Sequence, residues 1–297
     1  MELKRIVVGV DFSEENAVAV REAMRLARDR DVEVVLTHVG SVERDSPWLP
    51  NAAARAWAEI LAENAKQNRV RLDELRESVL DQGTSVKTLI VDDGPAEGVT
   101  AAAKEADADL VVVSTHGRTG LRKFLLGSVA QRVVRICERD VLIVRKDGDA
   151  DTNGYRKILV PTDFSAHADA ALRRALAVAA PGASIELVHF WQLPVVVGGG
   201  YGESALLTHA GDHRAAVDVE GEKLVEKYKN ENVEVTFQAL ESGAAHGVVD
   251  YAARNGHDAI IIGSHGRRGF RRLLLGSVAE ATVRHAPCSV MVVHLRD

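Results

Sequence analysis

The sequence predicts an α/β fold: two tandem doubly wound domains, each a five-stranded parallel sheet flanked by helices. Three observations carry this. First, STHGRTGLRKFLLGS at 114–128 returns as GSHGRRGFRRLLLGS at 263–277, and RIVVGVDFS at 5–13 returns as KILVPTDFS at 157–165. The two pairs are offset by 149 and 152 residues, so a whole domain is copied, not a short solenoid unit. Second, short all-apolar runs alternate with helix-forming stretches, as in a parallel sheet covered on both faces. Third, a chain of 297 residues suits two domains of roughly 150 residues, each large enough to bury a core.

The elements follow in order. Ile6–Val10 is an unbroken apolar run and reads as a buried strand with Asp11 at its end. Ser13 is placed to cap a helix over about 14–29, with Ala17, Val20, Met24 and Ala27 on one face. Val32–Val39 reads as the second strand, and a loop with Pro47 and Pro50 follows. The stretch from about 52 to 80 lacks Gly and Pro and is rich in Ala, Leu, Glu and Arg, which predicts a long helix. Val86–Val91 is the third strand, Gly94-Pro95 a turn, and Val99–Ala106 a short helix. Leu110–Val113 is the fourth strand, 114–127 a loop, 128–137 a helix and Val141–Val144 the fifth strand. The second half repeats the order with strands at Ile158–Val160, Ile185–Phe190, Val233–Ala239, Ala259–Ile262 and Val290–Val293. The polar run DGDADTNG at 147–154 separates the domains, which are expected to span 1–147 and 155–297.

Composition removes several function classes. A formal net charge of −6 speaks against non-specific binding to nucleic acid. No apolar run approaches the roughly 18–20 residues of a membrane span, and MELKRIVVGVDFS does not read as a secretory signal, so no membrane association is expected. Cys137 and Cys288 fall at non-equivalent positions of the repeat and form neither a disulfide framework nor a metal spacing. They read as core thiols in a reducing cytoplasm.

The chemistry concentrates in the repeated loops. Gly263 follows directly on the fourth strand of the second half, and ligands of open α/β sheets sit beyond the carboxyl ends of strands. Gly276-Ser277 opens the next helix, whose free N–H groups and dipole favour an anion. Arg267, Arg268, Arg271 and Arg272 make the intervening loop positive within an acidic chain. A turn and a helix cap would account for one copy alone; the same nine-residue spacing in two copies favours a shared ligand. No Gly-Lys-Ser/Thr occurs, so this is not a Walker P-loop. Asp11 and Asp163 end the first strands. Either could cap the next helix, but Ser13 and Ser165 are better placed for that, which leaves the carboxylates for a ribose hydroxyl or a metal.

The pattern Gly-x2-Gly-x9-Gly-Ser at 263–277, with an earlier strand ending in Pro-Thr-Asp-Phe-Ser at 161–165, resembles the universal stress protein family over essentially the whole chain, twice. The resemblance implies a Rossmann-like fold of the adenine-nucleotide α-hydrolase type. It also implies a tandem member of the ATP-binding branch, with ATP and accompanying Mg as cofactor. Gly263, Gly266, Gly276 and Ser277 would then hold phosphates and ribose, Asp163 the adenosine end, and the backbone at Phe190 the adenine. Pro161, Thr162, His265, Arg267 and Val278 complete that site. Val10, Asp11, Val39, Gly117, Gly127, Ser128 and Val129 are the matching positions of the first half. Two departures stand out: Ser114 replaces the first glycine, and Gly9-Val10 stands where the second half has Pro161-Thr162. The C-terminal site is therefore expected to be the stronger.

Other candidates read as structural. His116 and His265 lie in the loops, but sequence places no nucleophile or orienting acid beside them, so no catalytic residue is assigned. His209 and His213 are four apart on a helix without an evident third zinc ligand. VVVGGGYGE at 195–203 fails the dinucleotide fingerprint at Glu203 and reads as a loop or lid. The expected function is an ATP-binding regulator of stress response or signalling. A slow ATPase with at most weak hydrolysis, and a nucleotide-free interaction module, are the alternatives. The family's habit of pairing fifth strands implies an intrachain pseudo-dimer, Val141–Val144 against Val290–Val293, and a homodimer by the same means.

Overall fold

The computed structural model describes residues 3–40, 51–80, 83–115, 126–145, 152–192, 203–266 and 275–295; for 51–56, 58 and 203–213 it describes backbone alone. The chain divides into two compact units, Glu2–Asn153 and Gly154–Asp297.

The first unit runs β1 (Arg5–Val10), α1 (Glu14–Ala27), β2 (Glu33–Gly40), α2 (Asn51–Val79), β3 (Ser85–Asp92), α3 (Pro95–Glu105), β4 (Leu110–Ser114), α4 (Ser128–Ile136) and β5 (Asp140–Val144). Its sheet order is β3-β2-β1-β4-β5, every pair parallel. The second unit runs β6 (Tyr155–Pro161), α5 (Ala166–Val178), β7 (Ala179–Trp191), α6 (Glu203–Tyr228), β8 (Val233–Glu241), α7 (Ala244–Asn255), β9 (Ala259–Gly263), α8 (Ser277–His285) and β10 (Ser289–Val293). Its order, β10-β9-β6-β7-β8, is the same topology, again all parallel.

Local chemistry explains the element ends. Ser13 and Ser165 cap α1 and α5, their Oγ atoms accepting from Asn16 N at 3.2 Å and Ala168 N at 3.3 Å. At the opposite end of the sheets, Asp109 accepts from the backbone of Lys4 and Arg5, and Asp258 from Arg156 and Lys157. Each carboxylate ties the amino end of one central strand to the turn before its neighbour. The central strands are fully apolar inside: Ile6, Val7, Val8, Ile158, Leu159 and Val160 are all without solvent exposure.

Two expectations shift. The buried stripe of α1 runs through Asn16, Ala19, Val20, Ala23, Leu26 and Ala27, while Ala17 and Met24 lie half-buried at its border. The polar Asn16 belongs to the buried face because its Nδ2 donates to Gly9 O at 2.6 Å. Strand β7 begins at Ala179, six residues before the predicted start, because Ala179 pairs with Tyr155 ahead of a register shift. Pro181-Gly182 interrupts the apolar pattern there and hides the extension.

In each unit the first strand lies between the second and the fourth, so the chain's winding reverses at that junction. Such a reversal opens a crevice at the carboxyl ends of the strands, where ligands of doubly wound sheets bind. The crevice lies at β6 and β9 in the second unit, and at β1 and β4 in the first.

Candidate functional site

The second unit shows the site most fully. Strand β6 runs into the turn Thr162-Asp163-Phe164-Ser165. Thr162 is buried; its Oγ1 accepts from Phe164 N at 3.1 Å. Asp163 Oδ1 accepts from Ser165 N at 3.0 Å. Phe164 takes a left-handed conformation with φ 62°. A bulky residue rarely does so, and such strain gathers at functional turns. His189, near the end of β7, clamps this turn: its Nδ1 lies 2.8 Å from Thr162 O, and its ring lies 5.1 Å from that of Phe164.

The first unit repeats the device. Phe12 has φ 61°, His38 Nδ1 lies 2.7 Å from Val10 O, and the Phe12 and His38 rings are 4.6 Å apart. Asp11 Oδ1 accepts from both the backbone N and the Oγ of Ser13. The serines do cap the helices, but each also engages the neighbouring carboxylate. Asp11 and Asp163 are thus held by their turns rather than left loose. Phe12, Phe164 and His38 were not picked out from the sequence; the signal was there, since both halves carry Asp-Phe-Ser and a strand-end histidine.

The loop after β9 faces that turn. A Cβ on Gly266 would lie 2.6 Å from Asp163 Oδ2, so the carboxylate rests against bare backbone. A Cβ on Gly263 would lie 2.8 Å from His167 Cβ and 2.9 Å from the carbonyl carbon and oxygen of His167. Gly263 therefore seats the first turn of α5 against β9, a different reason for glycine from close approach to a ligand. Gly276 N donates to Ser264 O at 2.8 Å, and a Cβ on Gly276 would come within 3.2 Å of that oxygen. The first unit closes its loop in the same way, Gly127 N donating to Thr115 O at 2.6 Å.

That closure aims the start of α8. Gly276 is its N-cap and offers no side-chain acceptor; the first intrahelical bond is Glu280 N to Gly276 O at 2.8 Å. The N–H groups of Ser277, Val278 and Ala279 consequently have no helical carbonyl, which leaves donors and a positive dipole end for an anion. Helix α4 starts likewise at Gly127 and Ser128. Ser128 and Ser277 are exposed, Val129 is exposed and Val278 half-buried.

The remaining predicted positions distribute as follows. Val10 is buried and Pro161 half-buried at the strand ends. Val39 lies over Gly98, and Phe190 over Gly247, in equivalent places, each too close for a Cβ. The Phe190 ring also meets Tyr251 edge-on at 6.3 Å, so its side chain belongs to the α7 face. His265 stands in the loop, its ring 5.5 Å from that of His167. Gly117 and Arg267, with His116, Arg268, Arg271, Arg272 and the loop at 195–202, lie outside the described residues; so do the side chains of His209 and His213. Among the described residues no group of three His, Cys, Asp or Glu could hold a metal ion. Cys137 and Cys288 are buried, and burial pushes the Cys137 thiol up to about 11, as befits a core residue.

Comparison with known proteins agrees with the duplication. The model of the universal stress protein family matches twice, at residues 2–145 and 154–294. A universal stress protein of Mycolicibacterium smegmatis is 28% identical over 309 residues, covering 98% of this chain and 97% of that protein, so the tandem arrangement is shared. One from Methanocaldococcus jannaschii is 33% identical over 144 residues, 48% of this chain and 82% of its own, so it corresponds to a single half. The crystal structure of a universal stress protein from Archaeoglobus fulgidus covers 100% of this chain and 98% of its own with TM-score 0.65; at 19% identity it shares the fold.

Proposed function

We propose that this chain, which belongs to the universal stress protein family in both of its halves, binds an adenine nucleotide, ATP first, and serves as a nucleotide-dependent regulator in stress response or signalling. One observation carries the reading. At the point where the strand order reverses, three elements converge: the strained turn holding Asp163, the bare backbone at Gly266, and the open N-terminus of α8. A carboxylate suits ribose hydroxyls; free N–H groups at a helix start suit phosphates.

In this reading Gly266, Gly276, Ser277 and Val278 meet the phosphates through backbone, with the Ser277 hydroxyl adding a hydrogen bond. Arg267 adds charge. Asp163, with Pro161 and Thr162 behind it, meets the adenosine end, and the backbone at Phe190 the adenine. Val10, Asp11, Val39, Gly117, Gly127, Ser128 and Val129 do the same in the first half. Magnesium would arrive with the phosphates, since the described protein groups offer it only the single carboxylate Asp163 nearby; such ions are commonly held through substrate phosphates and water. Its role there would be to neutralise phosphate charge.

The mechanism is occupancy. Nucleotide bridges the turn after β6 and the loop after β9, and this favours one arrangement of the surface around them. Any hydrolysis is weak, because the chain has no Walker lysine to support it. The fifth strands β5 and β10 are the apolar edges of their respective sheets, and we assign them the role of pairing surfaces, within the chain and between chains. No helix among the described residues is long and apolar enough to cross a membrane. We place the protein's work in the cytoplasm.

The test is the nucleotide content of the purified protein, released by denaturation and measured by ion-exchange chromatography against protein concentration. ATP at one or two per chain supports binding, and ADP brings the slow ATPase forward. No nucleotide, and no uptake when ATP and magnesium are added, overturns the reading in favour of an interaction module.

A further inference from the structure

Three ionisable side chains from three parts of the second unit gather at the loop after β9. Asp163 comes from the turn after β6, His167 from the first turn of α5, and His265 from the loop itself. Asp163 Oδ2 lies against Gly266, and the two imidazoles stand 5.5 Å apart. His265 Cα is 3.6 Å from where a Cβ on Gly276 would sit, which places the pair beside the start of α8. His265 Nδ1 lies 3.2 Å from Ser264 Oγ. Its Nε2 is buried and has no hydrogen-bond partner among the described residues. A buried ring nitrogen without a partner is costly, and an arriving acceptor relieves that cost.

We propose that the His167–His265 pair couples proton uptake to phosphate binding at this site, so that the second half takes up its nucleotide together with a proton. This rests on the nucleotide reading above and adds its regulation. Two charged imidazoles this close repel, and the one carboxylate beside them, Asp163, offsets a single charge; a phosphate between Gly266 and Gly276 supplies the further anion. In the free protein, burial and then the neighbouring His265 hold His167 below the usual imidazole range, with Asp163 opposing both. Besides Asp163 and His265, the ionisable groups on the strands beneath α5 are Arg156 and Lys157 at the amino end of β6, Glu186 of β7, which engages Tyr251 and Lys157, and His189 of β7, which is held to Thr162 O; β9 and β10 are apolar throughout except Ser289. Asp169, on the same helix, is engaged with Tyr228, Lys227 and Arg173.

The first half is built differently at this one place. Glu15, exposed on the first turn of α1, holds the position equivalent to His167. The proton is therefore assigned to the second half alone, which would let a tandem chain answer pH and nucleotide through one site and nucleotide only through the other.

The experiment is isothermal titration of the full chain with ATP at pH 6.0 and 8.0, in paired buffers of unlike ionisation enthalpy. The variants His167→Asn and His265→Asn are run alongside. Taking up about half a proton makes affinity about tenfold higher at pH 6.0 than at 8.0, since the slope of log affinity against pH equals the protons absorbed. The terminal phosphate of ATP titrates in the same range, so the difference between wild type and variant isolates the protein's share. The expected result is that uptake drops in both variants and that the pH dependence of affinity flattens. Equal uptake in wild type and both variants overturns the coupling while leaving nucleotide binding standing. No binding at either pH overturns the nucleotide reading itself, and the coupling with it. A variant that fails to fold is recognised by its circular dichroism, and the other variant then decides.

Discussion

Gly263→Ala separates two reasons for a glycine. The structure says that Gly263 is small because α5 lies on it. The added methyl would stand 2.8 Å from His167 Cβ and 2.9 Å from the His167 carbonyl group. Carbon atoms settle at about 3.5–4.0 Å, so something must retreat by about 0.7 Å or more. Backbone cannot swing aside as a side-chain tip can. The helix must move, and it is keyed into the core by Ala168, Ala171, Leu172, Ala175 and Val178, all buried. Overpacking of this kind costs about 1–3 kcal/mol. For a domain of this size that is a fall in Tm of about 3–10 °C. Trp191 is the one tryptophan of the second half, so a background with Trp48 and Trp57 changed to Phe lets its fluorescence report that unit in a urea titration. Ser114→Ala, followed by circular dichroism, is the comparison, because the first unit already accommodates a side chain there and no overpacking arises. If nucleotide-free Gly263→Ala unfolds at the wild-type urea midpoint, the helix-seating argument is wrong, and close approach to a ligand becomes the better reason for the glycine.

Other expectations follow from the same geometry. Gly276→Val should abolish nucleotide binding by the second half, since its Cβ would press on Ser264 O at 3.2 Å and spoil the loop closure that aims α8; unchanged stoichiometry in a binding titration would refute the assignment. Glu22→Ala should destabilise the first unit by about 3–5 kcal/mol, because it takes from the buried Arg25 the carboxylate to which its Nε and Nη2 donate at 2.8 and 2.7 Å; replacing both residues with leucine should cost less, and equal losses by chemical denaturation would contradict this. His257 is buried beside Glu186, and burial holds its proton affinity below 6.5. The unfolded chain therefore takes the proton first, so His257's contribution is complete above about pH 6.5 and lost as pH falls below it. Glu186 is also held low, through Tyr251, His257 and Lys157 against the opposing effect of burial, and its contribution disappears only below about 4.5. Urea midpoints from pH 7.5 to 5 should fall for wild type and stay flatter for His257→Asn. Tyr251→Phe should cost about 0.5–1.5 kcal/mol, since the hydroxyl donates to Glu186 at 2.8 Å and accepts from Gln238 at 2.7 Å; an unchanged midpoint would show that water replaces both bonds.

The succession of strands and helices and the location of the crevice were legible because they rest on period and repetition. An apolar run such as Ile6–Val10 has one use in a doubly wound sheet, and a second copy at Ile158–Val160 strengthens the reading. Boundaries were less legible where a residue's role depends on a distant partner. The Ala179–Gly182 part of β7 carries no strand pattern and joins the sheet through Tyr155. The buried face of α1 includes Asn16, which no hydropathy pattern places inside, because Gly9 O supplies its partner. The turn strain at Phe12 and Phe164 is invisible in composition, since phenylalanine gives no sign of a positive φ. It shows only as the same Asp-Phe-Ser in both halves.

The glycines teach the sharper point. The three motif glycines of the second half looked alike as letters, small residues near a ligand. In the structure they do three jobs. Gly263 seats a helix, Gly266 yields room to a carboxylate, and Gly276 closes a loop onto the Ser264 carbonyl so that the start of α8 points into the crevice. This changes what Ser114 means. A side chain at the Gly263 position meets the helix after the first strand before it can meet a phosphate, so the serine of the first half bears on how α1 sits and on its residue 15. The halves differ at both members of that contact, Ser114 with Glu15 against Gly263 with His167. The substitution and the missing histidine are then one change rather than two, and the ligand chemistry of the first half should follow the helix position as much as the loop sequence. Ser114→Gly alone would leave Glu15 in place, so the tightening of nucleotide binding expected from it should be small unless residue 15 is changed as well. A large gain in first-half affinity from that single substitution, measured by the same titration, would break the link between the two positions.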